Sequence, residues 1–378
     1  MILTVVNGYV SKKNMYTNGF VHAREKEYLR NGIDTMVYNL YTKNTPEDYE
    51  IEGVTVKVGN IKRLVKMVNN NPEITCVCFH FLTPGMIKAL KKFKNRVNVV
   101  VFVHGNEALW WYQRIFPDRF NGFIRTIKFI KYLIINTISM MYIRKNINSI
   151  DNMNIVCVSE WMKKQAVRNW KIKTKVNVHI IPNVVNENIF PFIKKTSDQK
   201  FNFLMIRQFV SGKYALDIAM EIIKKLEEYP ESNMFKFTIV GDGWLHEKYT
   251  KQIRDFKNVI FYKGFISQKE IAEYHMKNGF FLCPTRQDAQ GVSMCEAMSS
   301  GLIPISSKNT AIPEFLPNEY NLSFTNVEQS VERIIEIVRD EELFQTLSKS
   351  CSDFIRNKCC SSKTIDKEIA LMYKLEKK

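Results

Sequence analysis

The sequence predicts an α/β protein built from two doubly wound domains, each a parallel sheet with helices on both faces. Three observations predict it. Strand-like apolar runs at 2–6, 34–39, 74–81, 97–103, 154–158 and 179–181 alternate with helical segments, the pattern that builds parallel sheets. A second alternating series occupies 201–305. The chain has 378 residues, too many for one comfortable core and suited to two domains.

The elements follow in order. The opening Met-Ile-Leu-Thr-Val-Val has no basic stretch and no long apolar run, so it reads as a first strand and not as a signal peptide. A helix is expected over 19–30. The run at 74–81 carries Cys76 and Cys78. The other cysteines fall at 157, 283, 295, 351, 359 and 360, and none forms a Cys-x2-Cys pair. Reduced thiols in a cytoplasm are therefore expected, rather than disulfides or a zinc site. No cluster of His, Asp or Glu has metal-ligand spacing either. Residues 182–200 hold two prolines and no apolar period, which marks a linker. No internal repeat or low-complexity tract is evident.

Charge is divided unevenly. Residues 1–200 contain 31 Lys plus Arg against 14 Asp plus Glu, whereas 201–378 contain 24 of each. The whole excess of +17 lies in the first half, which implies an anionic surface as partner. The helical stretch 123–145 sharpens this. Phe123, Ile127, Ile130, Leu133, Ile134 and Met141 share one side of a helix, and Arg125, Lys128 and Lys131 another. Such a helix can lie in the headgroup region of an anionic bilayer, or it can pack its stripe on a sheet. Its apolar run is too short to span a membrane. Lys88, Lys91, Lys92, Lys94 and Arg96 add to the basic character.

The most informative segment is 283–301, Cys-Pro-Thr-Arg-Gln-Asp-Ala-Gln-Gly-Val-Ser-Met-Cys-Glu-Ala-Met-Ser-Ser-Gly. An apolar strand stops at Pro284, a polar turn follows, and a helix runs from about Val292 to Gly301. Asp288 and Glu296 bracket this turn, with seven residues between them. Gly291 admits close approach to the backbone, and the first-turn amides of the helix, around Val292 and Ser293, form an anion site. Upstream, a strand ending at Ile206 delivers Arg207, and Lys213 precedes a helix over 214–226. Ligands of parallel α/β sheets collect beyond the carboxyl ends of strands, so these cations should face the same crevice as the two acids. Two cations beside a helix N-terminus suit a diphosphate.

These segments resemble the retaining glycosyltransferases of family 4, which have the GT-B fold of two Rossmann-like domains facing across a cleft. The resemblance rests on Arg207 and Lys213, on Phe-Thr-Ile-Val-Gly-Asp-Gly at 237–243, on Val-Ile-Phe-Tyr-Lys-Gly at 259–264 and on 284–304. Weaker landmarks are Tyr-Thr-Asn-Gly-Phe at 16–20, His104-Gly105, Val-Ser-Glu at 158–160 and Ile-Pro-Asn at 181–183. It implies that Arg207 and Lys213 grip the donor diphosphate and that Asp288 lies beside the donor sugar. By the same resemblance Glu296 takes the ribose hydroxyls, and residues 291–293 approach sugar and phosphate. His104 would contact the sugar from the first domain, Asn18 and Gly19 match its glycine-rich loop, and Glu314 falls where members often carry an acid near the donor.

The implied division is an acceptor-binding domain at 1–188 and a nucleotide-sugar domain at 189–362, with a final helix at 363–378 returning to the first. Three departures accompany the match. Asp288 is one methylene shorter than the usual Glu. The Arg207–Lys213 interval holds five residues, one more than the commonest form. Asn18 replaces a frequent glycine, although Asn tolerates left-handed backbone.

The expectation is a glycosyltransferase of the hexosyl type that moves a sugar from a nucleotide diphosphate to a glycan or lipid-linked acceptor. It needs no metal or other cofactor and serves cell-surface polysaccharide assembly, at the cytoplasmic side and peripheral to the membrane. Alternatives are an epimerase or sugar phosphorylase of the same architecture, or a basic nucleic-acid-binding protein. For the last, no helix-turn-helix, zinc-finger or aromatic RNA-binding motif is present. His22 and His80 read as structural, while His179, His246 and His275 have no evident partner. Glu107 orients the His104 loop, touches acceptor or forms a salt bridge, and Trp110, Trp111 and Tyr112 stack on a sugar ring or, as the preferred reading, pack in the core.

Overall fold

The computed structural model describes residues 1–12, 14, 17–41, 47–94, 97–118 and 123–374. Tyr16, Arg96 and the last four residues of the final helix lie outside these, as does the side chain of Phe123. The chain folds as two compact units, one of residues 1–114, 130–184 and 361–378, the other of 115–129 and 185–360.

In chain order the first unit holds β1 (Ile2–Val6), α1 (Gly19–Arg30), β2 (Thr35–Leu40), β3 (Tyr49–Ile51), β4 (Val54–Gly59), α2 (Ile61–Asn70), β5 (Cys76–His80), α3 (Pro84–Leu90) and β6 (Asn98–Val103). Helix α4 (Phe123–Asn146) follows, then β7 (Met153–Cys157), α5 (Glu160–Trp170) and β8 (Asn177–Ile180). The sheet order is β3-β4-β2-β1-β5-β6-β7-β8. Its strands pair in parallel except β3, which is antiparallel to β4. The hairpin β3–β4 turns through Glu52 and Gly53, both at positive φ (49° and 80°), as a tight hairpin requires. Central strands β1, β5 and β7 are buried at every position, because helices cover both faces.

The second unit holds β9 (Asn202–Ile206), α6 (Leu216–Leu226), β10 (Lys236–Val240), α7 (His246–Thr250), β11 (Val259–Tyr262), α8 (Gln268–Lys277), β12 (Phe280–Leu282), α9 (Val292–Ser299), β13 (Ile303–Ser307), β14 (Ser323–Phe324), α10 (Val327–Arg339) and α11 (Glu341–Cys359). Its sheet is parallel throughout, in the order β11-β10-β9-β12-β13-β14. The order reverses between β9 and β12, so this is the switch point where a doubly wound sheet opens a crevice.

The chain passes between units at 184–185 and 360–361, and not at the expected 188 and 362. The Val185 amide already bonds the Cys359 carbonyl at 2.8 Å, so β-unit contacts begin earlier than the composition of the linker suggests. Residues 115–129 also group with the second unit. There Tyr249 Oη donates to Asp118 at 2.6 Å, and the Arg125 guanidinium lies 3.4 Å from the centre of the Trp244 ring.

The last helix, α12 (Ser361–Lys374), joins the first unit through a buried ion pair. Arg24 Nε bonds both carboxylate oxygens of Glu368, at 3.0 and 3.3 Å, and Tyr28 Oη donates to the same group at 2.5 Å. Neither charged side chain is exposed. Ile365 and Met372 complete the seal against Ile2, Tyr28 and Phe102. Beside this pair Glu25 accepts from Thr35 Oγ1 at 2.7 Å, and burial pushes its carboxyl up to about 7.

The eight cysteines are free, and all but Cys360 are buried. Among the described residues no helix is long and apolar enough to cross a membrane. Removing Glu368 strands a buried guanidinium, so Glu368→Ala should lower unfolding stability by about 3–5 kcal/mol. Urea titration checks this, and a loss under about 1 kcal/mol, the range of exposed pairs, would show that α12 is held by apolar contacts alone.

Candidate active site

The site is built at the carboxyl ends of β9 and β12. Arg207 leaves β9 with its amide still bonded to the Val240 carbonyl at 3.0 Å. This continues the β9–β10 ladder by one residue and fixes where the side chain starts. Gly241 makes that possible. It has φ 153°, and a Cβ there would stand 1.8 Å from the Arg207 carbonyl oxygen, so only glycine fits.

The Arg207 side chain is 9% exposed. Its Nη1 donates to Ser293 Oγ at 3.0 Å and its Nη2 to the Cys283 carbonyl at 3.3 Å, while Nε is buried without a partner among the described residues. The guanidinium therefore bridges the end of β12 and the first turn of α9. No carboxylate pairs with it among the described residues, and buried charges are ordinarily paired.

Lys213 lies in the short turn Gly212–Tyr214. Its Nζ and the Arg207 guanidinium approach the same Tyr214 ring, at 5.5 and 5.8 Å from the centre. The turn is clamped to the loop after β12 by Arg286, which sequence reasoning missed. Arg286 donates from its amide to the Lys213 carbonyl at 2.8 Å and from Nη1 to the Gly212 carbonyl at 2.9 Å. It also forms a two-point pair with Asp217 at 2.8 and 2.6 Å. Burial works against the Asp217 charge, but the Arg286 guanidinium holds its carboxyl below the usual range.

Asp288 does not reach outward as a longer acid could. Its Oδ1 accepts from the amides of Gly291 at 2.8 Å and Gln290 at 3.2 Å, capping the turn before α9. Gly291 has φ 79° and sets the entry angle of the helix. The amides of Val292, Ser293 and Met294 form the first turn of α9 and have no helical acceptor. Ser293 and Glu296 stand three residues apart and so share a helix face. Glu296 has no hydrogen-bond or ionic partner among the described residues. Burial pushes its carboxyl up to about 8. Glu314 sits in the turn Ile312–Phe315, where its carbonyl accepts from Lys358 Nζ.

The first unit carries the remaining candidates. His104 Nε2 and His80 Nδ1 are 2.8 Å apart, and the rings stack at 5.1 Å. Nδ1 of His104 is buried without a partner among the described residues, so neither ring nitrogen faces outward. Burial, with the second histidine and Arg24, holds His80 well below the ordinary imidazole range. Burial with Arg24 does the same for His104. Glu107 orients the loop, accepting from the amides of His104 at 2.7 Å and Gly105 at 3.1 Å. Asn18 adopts left-handed backbone, φ 55° and ψ 39°. Its amide ties back to the carbonyls of Gly8 and Asn7 at 2.8 and 3.3 Å. Above Gly19 a Cβ would meet nothing within 4 Å. Tyr112 is 50% exposed and does not join the core. Among the described residues no group of three His, Cys, Asp or Glu could hold a metal ion.

Comparison with known proteins gives this geometry a family. Residues 186–357 match the family model described as Glycosyl transferases group 1. An uncharacterized glycosyltransferase of Methanocaldococcus jannaschii is 26% identical over 326 residues, covering 84% of this chain and 80% of that protein. A solved glycosyltransferase from Rickettsia africae ESF-5 superposes with TM-score 0.72 at 15% identity, over 100% of this chain and 98% of that one. HepE of Anabaena, solved with UDP and glucose, gives TM-score 0.68 at 13% identity over 99% of both chains. The fold is GT-B. Residues 186–357 are thus similar to the glycosyl transferases of group 1.

Proposed function

We propose that this glycosyltransferase is a retaining, family 4 enzyme that transfers a sugar from a nucleotide diphosphate to a hydroxyl of a glycan or lipid-linked acceptor. Cell-surface polysaccharide assembly at the cytoplasmic face of a membrane is the context, with the basic first half of the chain towards anionic lipid. One observation carries the donor reading. Arg207 and Lys213 have no carboxylate partner among the described residues, and Arg207 touches the first turn of α9. A nearly buried cation at the first turn of α9, with Lys213 beside the same Tyr214 ring, suits an anionic diphosphate.

In this reading the diphosphate lies against residues 291–293, with its growing negative charge met by Arg207, Lys213 and the helix amides. These cations supply the charge that a divalent ion supplies elsewhere, so no metal takes part. Glu296, one turn along α9, accepts from the ribose hydroxyls. Asp288 holds the turn that approaches the sugar, and contributes to the sugar itself through the turn's backbone. Glu314 lies near the donor. The acceptor oxygen attacks from the face that the nucleotide leaves. The sugar–phosphate bond breaks as the new glycosidic bond forms, and the departing phosphate takes the acceptor proton, so no protein base is required.

Two measurements test this. Arg207→Ala should reduce kcat/KM by about a hundred- to a thousandfold, and unchanged turnover would remove Arg207 from the mechanism. Melting curves with UDP, GDP and ADP should single out one base, since ligand at a hundred times its Kd stabilises by about 2.7 kcal/mol. Glu296 adds a pH dependence. Its carboxyl is protonated below about 8 in the empty site, whereas hydroxyl donors favour the carboxylate. Nucleotide affinity should therefore rise with pH up to about 8, by at most about tenfold per unit, and Glu296→Gln should flatten the profile. A flat profile in the unaltered protein would place the ribose elsewhere.

A further inference from the structure

Helix α4 presents its apolar residues to solvent. Ile127, Ile130, Ile134, Ile138 and Met141 are between 50% and 61% exposed, and they fall on one side at helical spacing. The opposite side, with Phe129, Asn136, Met140 and Ile143, is the buried one. Of the two placements the sequence leaves open for this stripe, packed on a sheet or turned outward, the stripe takes the outer one, and the helix is apolar on both sides. Isolated exposed isoleucines need no explanation, but a row of five apolar side chains extending about 21 Å along one helix does.

The charges beside the row are of one sign. Helix α4 contains no Asp or Glu, and Lys128, Lys131 and Lys145 stand exposed along it. Lysines of α3 extend this edge: Lys88 lies over the Tyr142 ring at 5.5 Å, and Lys91 bonds the Asn146 side chain. The occupant of this face must accept apolar side chains and be negatively charged over its whole extent. A second copy of the chain fits poorly, since a two-fold contact would set these lysines against one another. No stretch of this helix is apolar enough, among the described residues, to cross a membrane.

We propose that the outer face of α4 is a docking surface for an anionic lipid bilayer. Ile127, Ile130, Ile134, Ile138 and Met141 enter the boundary between headgroups and acyl chains, and Lys128, Lys131 and Lys145 lie at headgroup level. The inference stands apart from the donor site, because it is decided by lipid binding and not by turnover.

The test is sedimentation of the full chain with vesicles of phosphatidylcholine alone, or of phosphatidylcholine and phosphatidylglycerol in equal parts. The protein should pellet with the phosphatidylglycerol vesicles, less so as salt is raised. The combined variant Ile130→Ser, Ile134→Ser, Ile138→Ser should weaken this binding by about a hundredfold or more, with an unchanged melting curve because the positions are exposed. Lys128→Glu with Lys131→Glu leaves the apolar row intact and should abolish the preference for phosphatidylglycerol. The proposal is overturned if the unaltered chain ignores phosphatidylglycerol vesicles, or if both variants bind like it. It is equally overturned if sedimentation velocity without lipid finds a dimer that the serine variant dissociates, which would give the face to a second copy.

Discussion

The parallel pairing of β9 with β12 is the constraint on which the chemistry of the second unit depends. Side by side at the point where strand order reverses, the two strands must release Arg207 and the turn before α9 as neighbours. Among the described residues the guanidinium then finds neutral oxygens, from Ser293 and Cys283. A nearly buried cation without a counter-charge is an unfavourable state of the empty domain, and an anion relieves it. Glu296 is in the converse position, a carboxyl kept from ionising by burial with nothing to accept from. One cation and one acid, each without an opposite charge among the described residues, mark a binding site more clearly than the shape of any cavity does.

The rigidity of that arrangement comes from residues that touch no ligand. Arg286 fastens the Lys213 turn to the loop after β12, with Asp217 balancing its charge. Gly241 lets the exit of β10 pass against the Arg207 backbone. Asp288 turns inward to close the cap of α9. A site that must stabilise charge developing on a leaving group gains from being fixed beforehand, because no reorganisation is then needed as the bond breaks. The first unit is held by different means, with a charged pair and a two-histidine stack inside its core.

Much of this was legible in the sequence, for physical reasons that differ by residue. Alternation of apolar runs with helical segments gave both parallel sheets, and Gly291 before an apolar helix marked where α9 begins. Asn18 was readable as left-handed because few other side chains tolerate that backbone. The hairpin β3–β4 was not read, since its strands are short and its turn is Glu-Gly rather than a stronger signal, though Val54, Val56 and Val58 alternate. The buried roles of Arg24, Glu25 and Glu368 were not read, because periodicity cannot tell a solvated charge from a paired buried one. Arg286 and Asp217 meet only through the fold, across 69 residues. In α4 the apolar stripe was legible, but whether it packs on the sheet or turns outward was left open. A helix apolar on both sides leaves that choice to the packing of the rest of the chain.

A crystal structure of the chain with UDP measures the central claim most directly. The β-phosphate should lie at the amides of residues 291–293 within hydrogen-bond distance of Arg207 and Lys213, with the ribose on Glu296. Nucleotide bound at any other place, with the Arg207 guanidinium still facing only Ser293 and Cys283, would contradict it.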